Sequence, residues 1–363
     1  MSPLLTVIVP TLNERPNIRP LLAKLDQALA GVAWEAIFVD DASQDGTPDE
    51  VAAVAAERPN VRLIERVGRR GLSSACIEGM LASTAKLVAV IDGDLQHDES
   101  ILPRMLAAFA ADSALDLAIG SRFVPGGGVG EWSAGRLTVS RFASQLGRLV
   151  LPVPLADPMS GFFMLRREVA RRLAPRLSAR GYKILLDLVA TAGPGVKLVE
   201  IPYTFRDRQA GESKLSSRVV LDYLIMLADR LVGQWVPIRF VLFVAMGMVG
   251  LTFHLAVLGL FHVLVGQGFR PAQFIAAGTA MTVNYFLNNA VTYRDQRKQG
   301  AALLRGLVVF YLLCSAGLYI NLEVAGSAFD KGAAWWFAGT LGALVGALWN
   351  FAVNTAFNWR VQA

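Results

Sequence analysis

Over roughly the first 230 residues, short apolar runs alternate with stretches whose apolar positions recur at helical spacing. Leu4–Val9, Ala36–Val39, Val61–Ile64 and Leu87–Ile91 are each closed by polar or turn residues, the pattern of buried strands. Asn17–Ala30, Pro48–Glu57 and Leu72–Ser83 lie between them and predict helices, while Leu115–Gly120, Phe162–Leu165 and Val199–Phe205 predict later strands. Such alternation builds an α/β fold around a mostly parallel sheet. Ligands of such sheets bind beyond the carboxyl ends of the strands, so the polar residues that follow each strand are the ones to read for chemistry. Two further segments, Gly135–Leu151 and Ser216–Leu231, are apolar on one side. They suit interfacial helices on a membrane, with packing against the sheet as the alternative.

Beyond residue 231 charged positions become rare. Uncharged stretches run Phe240–Phe269, Pro271–Tyr293, Gly306–Leu322 and Gly332–Trp359, and a bilayer crossing takes about 17–25 such residues. The expectation is a cytosolic domain over residues 1–231 and a four-helix transmembrane domain over 232–363. Gly306–Leu322 is the marginal span, because it lengthens only past Arg305 or Glu323. Gly342 and Gly346 form a GxxxG pair, which lets helices approach closely in lipid. Asn284, Asn288 and Asn289 lie in an apolar setting and predict hydrogen bonds from helix to helix.

Composition and charge sharpen this division. The 363 residues are 54% hydrophobic and 18% charged, with a mean hydropathy of +0.44. Residues 1–236 hold 27 Lys+Arg against 26 Asp+Glu, and residues 237–363 hold 8 against 3. The basic excess therefore belongs mainly to an apolar tail, which argues against nucleic acid as a partner. Arg294, Arg297, Lys298 and Arg305 separate the second and third spans, Arg239 precedes the first and Arg360 follows the fourth. Arg270 and Lys331 fall on the opposite side, so the charge bias puts both termini and the middle loop in the cytoplasm. The first strand lacks the basic flank and length of a signal peptide, which agrees. Cys76 and Cys314 lie in different halves, excluding a disulfide framework and a Cys-type zinc site.

The strand ends carry the candidate chemistry. The first is followed by Pro10-Thr11-Leu12-Asn13-Glu14, the second by Asp40-Asp41-Ala42-Ser43-Gln44-Asp45-Gly46-Thr47, the fourth by Asp92-Gly93-Asp94-Leu95-Gln96-His97. A lone DxD or DGT is ordinary turn and capping chemistry, but three acidic strand ends in this order are not. Crowded carboxylates repel unless a cation neutralises them. Oxygen donors from Asp94 and Gln96 suit Mg²⁺ or Mn²⁺ rather than zinc and leave positions open for phosphate oxygens. His97 reads equally as a packing imidazole or a functional one, and is assigned no role.

VPTLNE, VDDASQDGT, GLSSA (Gly71–Ala75), DGDLQH, GSRF (Gly120–Phe123), DPMSGFFMLRREV (Asp157–Val169), GYKILLDL (Gly181–Leu188) and GESKL (Gly211–Leu215) together resemble a GT-A glycosyltransferase of family 2. The nearest resemblance is to the polyisoprenyl-phosphate (dolichol-phosphate) mannose synthases, over about residues 4–231. The tail, with NYFLNNAVTYRD (Asn284–Asp295) and FNWR (Phe357–Arg360), resembles the GtrA-like membrane domain of some of these enzymes. The resemblance implies donor contacts at Pro10, Leu12, Glu14, Val39, Asp41, Asp92, Gly93, Asp94, Gln96, Lys183, Arg208 and Lys214. Leu12 departs from the aromatic residue often found there, which matters little for a backbone contact. It implies Asp94 and Gln96 as metal ligands, Arg122, Arg136 and Ser140 at the acceptor phosphate, and Asp92, Asp94 and Arg122 as the catalytic set. Gly126-Gly127-Gly128 reads as a mobile loop beside the acceptor or as a plain turn. The implied reaction takes mannose from GDP-mannose to a polyprenyl or dolichyl monophosphate with inversion, at a membrane-bound enzyme among lipids. A UDP-glucose-dependent transferase keeps the same fold, and a lipid-linked-sugar flippase or scaffold is the alternative of another class. A processive polysaccharide synthase would carry a QxxRW-type motif, and none is present.

Overall fold

The computed structural model describes residues 3–68, 71–178, 183–206, 217–232, 238–293 and 297–357, with backbone alone at 217–219, 221–222, 232, 238–239 and 350–357. The chain divides into two compact units, Met1–Leu231 and Val232–Ala363.

In the first unit the elements run β1 (Leu5–Thr11), α1 (Ile18–Ala28), β2 (Trp34–Asp40), α2 (Thr47–Glu57), β3 (Val61–Glu65), α3 (Leu72–Ala82), β4 (Leu87–Val90), α4 (Leu102–Ala111), β5 (Leu117–Ser121), α5 (Ala134–Arg148), β6 (Phe163–Arg166), α6 (Arg167–Leu173), α7 (Ile184–Ala192), β7 (Leu198–Pro202) and α8 (Ser217–Val232). The seven strands form one sheet in the order β3-β2-β1-β4-β6-β5-β7. Strand β6 is antiparallel to both neighbours, and every other pair is parallel. Alternate residues of each strand face opposite layers. Val7 and Val9 join Phe38, Leu21 and Met105 in one core, whereas Ile8 joins Ile37, Val39, Met80 and Leu185 in the other. Burial on both faces explains why β1, β2 and β4 read as largely apolar runs. Helix α3 lies so close to the sheet that a Cβ on Gly79 would sit 2.5 Å from Ile8 Cγ2.

Register brings the chemistry together. Thr11 pairs with Asp40 and Ile8 with Val90, so β1, β2 and β4 finish side by side and release their polar loops at one rim. Strand β7 stops at Pro202, short of the expected Phe205, because the chain there leaves the ladder to pair with the triple-glycine turn. Gly128 N–H donates to the Tyr203 carbonyl (3.0 Å), and Phe205 N–H donates to the Gly128 carbonyl (2.9 Å). A Cβ on Gly127 would lie 2.7 Å from the Ser121 carbonyl, so the turn needs glycine for close backbone approach.

The second unit holds α9 (Ile238–Gly259), α10 (Phe269–Leu287), α11 (Gly300–Asp330) and α12 (Trp335–Phe357), with π-helical turns extending α9 over Leu260–Leu264 and α10 over Asn288–Thr292. Two described stretches, Phe240–Leu264 and Gly300–Asp330, are long and apolar enough to cross a bilayer. The marginal third span is thus a 31-residue helix that runs through both Arg305 and Glu323. Gly342 and Gly346 let α12 approach α11, where added Cβ atoms would meet the Asn321 and Gly317 carbonyls at 2.6 and 3.0 Å. The asparagines do not behave as expected. Asn288 Nδ2 donates to the Asn284 carbonyl of its own helix (2.9 Å), and Asn289 closes the loop at Lys298 through both amide atoms. The π-helical turn disturbs the local backbone ladder, and the side chain serves it. Helix-to-helix bonds come instead from Gln273 Nε2 to Asn321 Oδ1 (2.8 Å) and from Tyr311 Oη to the Gly278 carbonyl (3.0 Å).

Candidate active site

The ends of β1 and β2 are stitched into one rim. Asn13 takes a left-handed φ of +56°, which asparagine tolerates better than most residues. Its N–H donates to Ser43 Oγ (2.8 Å), and its Oδ1 accepts from Gln44 N–H (2.9 Å). Glu14 N–H donates to Thr47 Oγ1, Arg15 N–H to Asp45 Oδ2, and Asp40 accepts from Thr11 and Ser43. Asp40 and Asp45 are therefore turn builders. Pro10 and Val39 are register partners beneath the rim and are buried, Leu12 is half-buried above them, and Glu14 Oε2 accepts from Asn17 (2.8 Å).

Asp41 is committed to the protein itself. Arg66, 2% exposed, donates from Nη1 to Asp41 Oδ1, while Asp41 Oδ2 accepts from Gly71 N–H at 2.6 Å. The same guanidinium reaches Ser74 Oγ (2.6 Å) and Glu78 (3.2 Å). Asp41 thus ties Arg66 to Gly71, and GLSSA supplies the wall beside it. Arg66 went unread in the sequence, where its only signal is a charge closing an apolar strand.

The β4 loop gathers the oxygen donors. Asp94 and Gln96 are 7% and 5% exposed, and Leu95 between them adopts φ +63° to turn both toward the rim. Gln96 N–H donates to Asp94 Oδ1 (3.2 Å), and Gln96 Nε2 donates to the Arg206 carbonyl (3.1 Å), which settles the amide's orientation. Arg206 in turn clasps Asp98 (2.6 Å) and Glu99 (2.7 Å). Gly93 packs over Val9 and Thr11. A carboxylate and an amide oxygen this close fit a hard divalent cation. Among the described residues no three His, Cys, Asp or Glu side chains group as a cage, so the protein would supply part of the shell and substrate phosphate the rest. Asp92 meets His97 Nε2 at 3.1 Å, and His97 Nδ1 meets Tyr203 Oη at 2.8 Å.

Cations flank the opposite side. Arg122, 8% exposed, is gripped by the fully buried Asp157 through Nε and Nη2, both at 2.7 Å. Burial opposes the charge, but the Asp157 hydrogen bonds together with the negative charge of Asp157 outweigh it and hold the guanidinium above its ordinary pKa. Trp132 lies 5.4 Å from the Arg122 guanidinium and 4.2 Å from that of Arg136, so one indole brings two of the expected phosphate ligands together. Ser140 follows Arg136 by one turn of α5. Lys183 caps α7, and burial followed by repulsion from Arg122 pulls its ammonium below the ordinary pKa. Arg208 and Lys214 lie outside the described residues. Asp157, Tyr203 and Arg206 went unread as site residues because their partners are far away in sequence; Trp132 lies only four residues before Arg136 but in a segment without a strand or helix period to place it.

Comparison with known proteins agrees in both units. The Glycosyl transferase family 2 profile matches residues 6–174, and the GtrA/DPMS transmembrane domain profile matches residues 242–359. The chain is 33% identical over 356 residues to the dolichol-phosphate mannosyltransferase of Pyrococcus furiosus, covering 98% of this chain and 99% of that one. It is 37% identical to the dolichol-phosphate mannosyltransferase of Saccharomyces cerevisiae, covering 66% of this chain and 91% of the yeast protein. It is 34% identical to the polyprenol monophosphomannose synthase of Mycolicibacterium smegmatis, over 61% and 85% of the two chains.

Proposed function

The chain belongs to the dolichol-phosphate mannosyltransferases of glycosyl transferase family 2, and from that membership we propose that it moves mannose from GDP-mannose to a polyprenyl monophosphate. One observation carries the site assignment: paired oxygen donors at Asp94 and Gln96 lie at the carboxyl rim of the same sheet whose far side offers Arg122 and Arg136 around Trp132. Two anions must meet in this reaction, and the two halves of the rim offer a place for each. The donor lies along Pro10, Leu12, Glu14 and Val39, with Asp41 shaping the wall and Lys183, Arg208 and Lys214 reaching its phosphates. The acceptor phosphate lies at Arg122, Arg136 and Ser140.

The chemistry demands little proton transfer. A phosphate monoester has a second pKa near ~6, so the acceptor is already an anionic nucleophile at neutral pH. The task is alignment of the two groups and stabilisation of charge on the departing diphosphate. Arg122, locked by Asp157, presents a fixed cation and loses no freedom on binding phosphate. Lys183 adds charge beside it. Asp94 and Gln96 would hold Mg²⁺ or Mn²⁺, which supplies positive charge against the leaving diphosphate. Single displacement inverts the sugar, giving a β-linked mannosyl phosphate and GDP.

The second unit anchors the enzyme. We read four crossings, with the α/β unit and both ends on the cytoplasmic side, from the loop charges and the four long helices. Helices α5 and α8 support surface contact: Val139, Phe142 and Leu149 are 61%, 59% and 69% exposed, and Val220, Leu224 and Leu231 are 47%, 46% and 50% exposed. Calorimetric titration tests the donor assignment. GDP-mannose should bind in the presence of Mg²⁺ and UDP-glucose should not compete; preference for UDP-glucose would overturn it.

A further inference from the structure

We propose that His97 is a positioning residue for this transfer: backed by Tyr203, it fixes the direction of the Asp92 carboxylate at the rim. The inference rests on the mannosyl-transfer reading above. Asp92 follows β4 with its side chain 34% exposed, whereas the His97 side chain is 2% exposed. The imidazole is caged by Phe162, Tyr203 and Phe205 at centroid distances of 5.4, 5.7 and 5.2 Å, so the ring cannot swing away.

The hydrogen-bond order follows from donor and acceptor chemistry. A carboxylate only accepts, so Nε2, 3.1 Å from Asp92 Oδ2, carries the proton. A neutral imidazole then offers Nδ1 as an acceptor, and the Tyr203 hydroxyl at 2.8 Å donates into it. Burial pushes the Tyr203 phenol up, so this hydroxyl keeps its proton. Tyr203 thereby selects the tautomer that His97 needs in order to hold Asp92. Its own backbone is pinned, its N–H donating to the Ser121 carbonyl (3.2 Å) and its carbonyl accepting from Gly128 (3.0 Å).

Gly161 shows that the pair occupies a defined space. An added Cβ would stand 2.8 Å from Asp92 Oδ2 and 3.3 Å from His97 Nε2. The hydrogen-bond path from Tyr203 through His97 therefore reaches a carboxylate two residues from Asp94, at the rim where the proposed function puts the donor.

Four substitutions in the full-length enzyme test this, read as kcat/KM for GDP-mannose at saturating polyprenyl phosphate, with melting temperature as the folding control. His97→Leu should lower kcat/KM by about tenfold or more. His97→Gln should recover to within about threefold of wild type, because its amide N–H can replace Nε2–H. Tyr203→Phe should cost severalfold in the wild type and nothing in His97→Gln, where no tautomer is left to choose. In an Asp92→Asn background His97→Leu should cost less than about twofold. Effects of His97→Leu and Asp92→Asn that multiply, or a glutamine no better than leucine, would overturn the role. Should His97→Leu melt, Tyr203→Phe alone and in His97→Gln decides the question. A stable wild type that makes no mannosyl lipid would overturn the reaction itself and this role with it; an active wild type with multiplying effects overturns His97 alone.

Discussion

Single side chains divide into those that would touch substrate and those that hold them. Asp94 belongs to the first group: Asp94→Ala should abolish transfer while leaving the protein folded, and full activity of that variant in EDTA would contradict its place in a metal site. Arg136 should serve the acceptor alone. Loss of a charge-assisted bond to phosphate costs about 1.5–3 kcal/mol, or about 10–100-fold in affinity. Arg136→Ala should therefore raise the acceptor KM by that factor and leave GDP-mannose affinity unchanged in calorimetry. Asp157 belongs to the second group. It is fully buried against Arg122, and removing one partner of such a pair costs about 3–5 kcal/mol, so Asp157→Ala should lower the denaturation midpoint sharply. The direct contacts were legible in the sequence because Asp94 and Gln96 are near neighbours after a strand. Their supports were not: Arg66 and Asp41 are 25 residues apart and His97 and Tyr203 are 106 apart, and only the fold pairs them.

Secondary elements show the same boundary between local and non-local signals. All seven strands were readable as short, mainly apolar runs; burial on both faces keeps β4 and β5 free of charge, whereas β3 and β7, only partly buried, admit Arg62 and Glu200. The reversal of β6 was not, because apolar runs carry no direction. Helix α7 was hidden as well: its residues Ile184 to Val189 are all buried, so it lacks the polar face on which a helical period depends. Close approach of α3 to β1 and β2 makes Gly79 sensitive. Gly79→Ala puts a methyl 2.5 Å from Ile8 and 3.0 Å from Val39, an overpacking that should cost about 1–3 kcal/mol in denaturant titration. Helices α5 and α8 pack together, Tyr223 Oη donating to the Ala143 carbonyl at 2.6 Å. If their exposed apolar residues enter lipid, Phe142→Ser together with Leu149→Ser should weaken vesicle binding of residues 1–231 by about tenfold or more. Unchanged sedimentation with vesicles would contradict the interfacial reading.

At the scale of the whole molecule, chemistry and anchorage are segregated. Every candidate contact lies in the first unit, and the second contributes apolar helices held by small residues and a few polar bonds. A protein ending at Leu231 should accordingly still bind GDP-mannose and metal but work poorly on long-chain acceptors; loss of donor binding from a folded truncation would mean that the second unit shapes the donor site. The central claim concerns the product. Purified full-length protein, given GDP-mannose, Mg²⁺ and a polyprenyl monophosphate in detergent micelles, should release GDP in equal amount to a mannosylated lipid whose anomeric carbon is β by NMR. A glucosyl lipid formed only from UDP-glucose, an α-linked product, or no mannosyl transfer by the folded enzyme would contradict it.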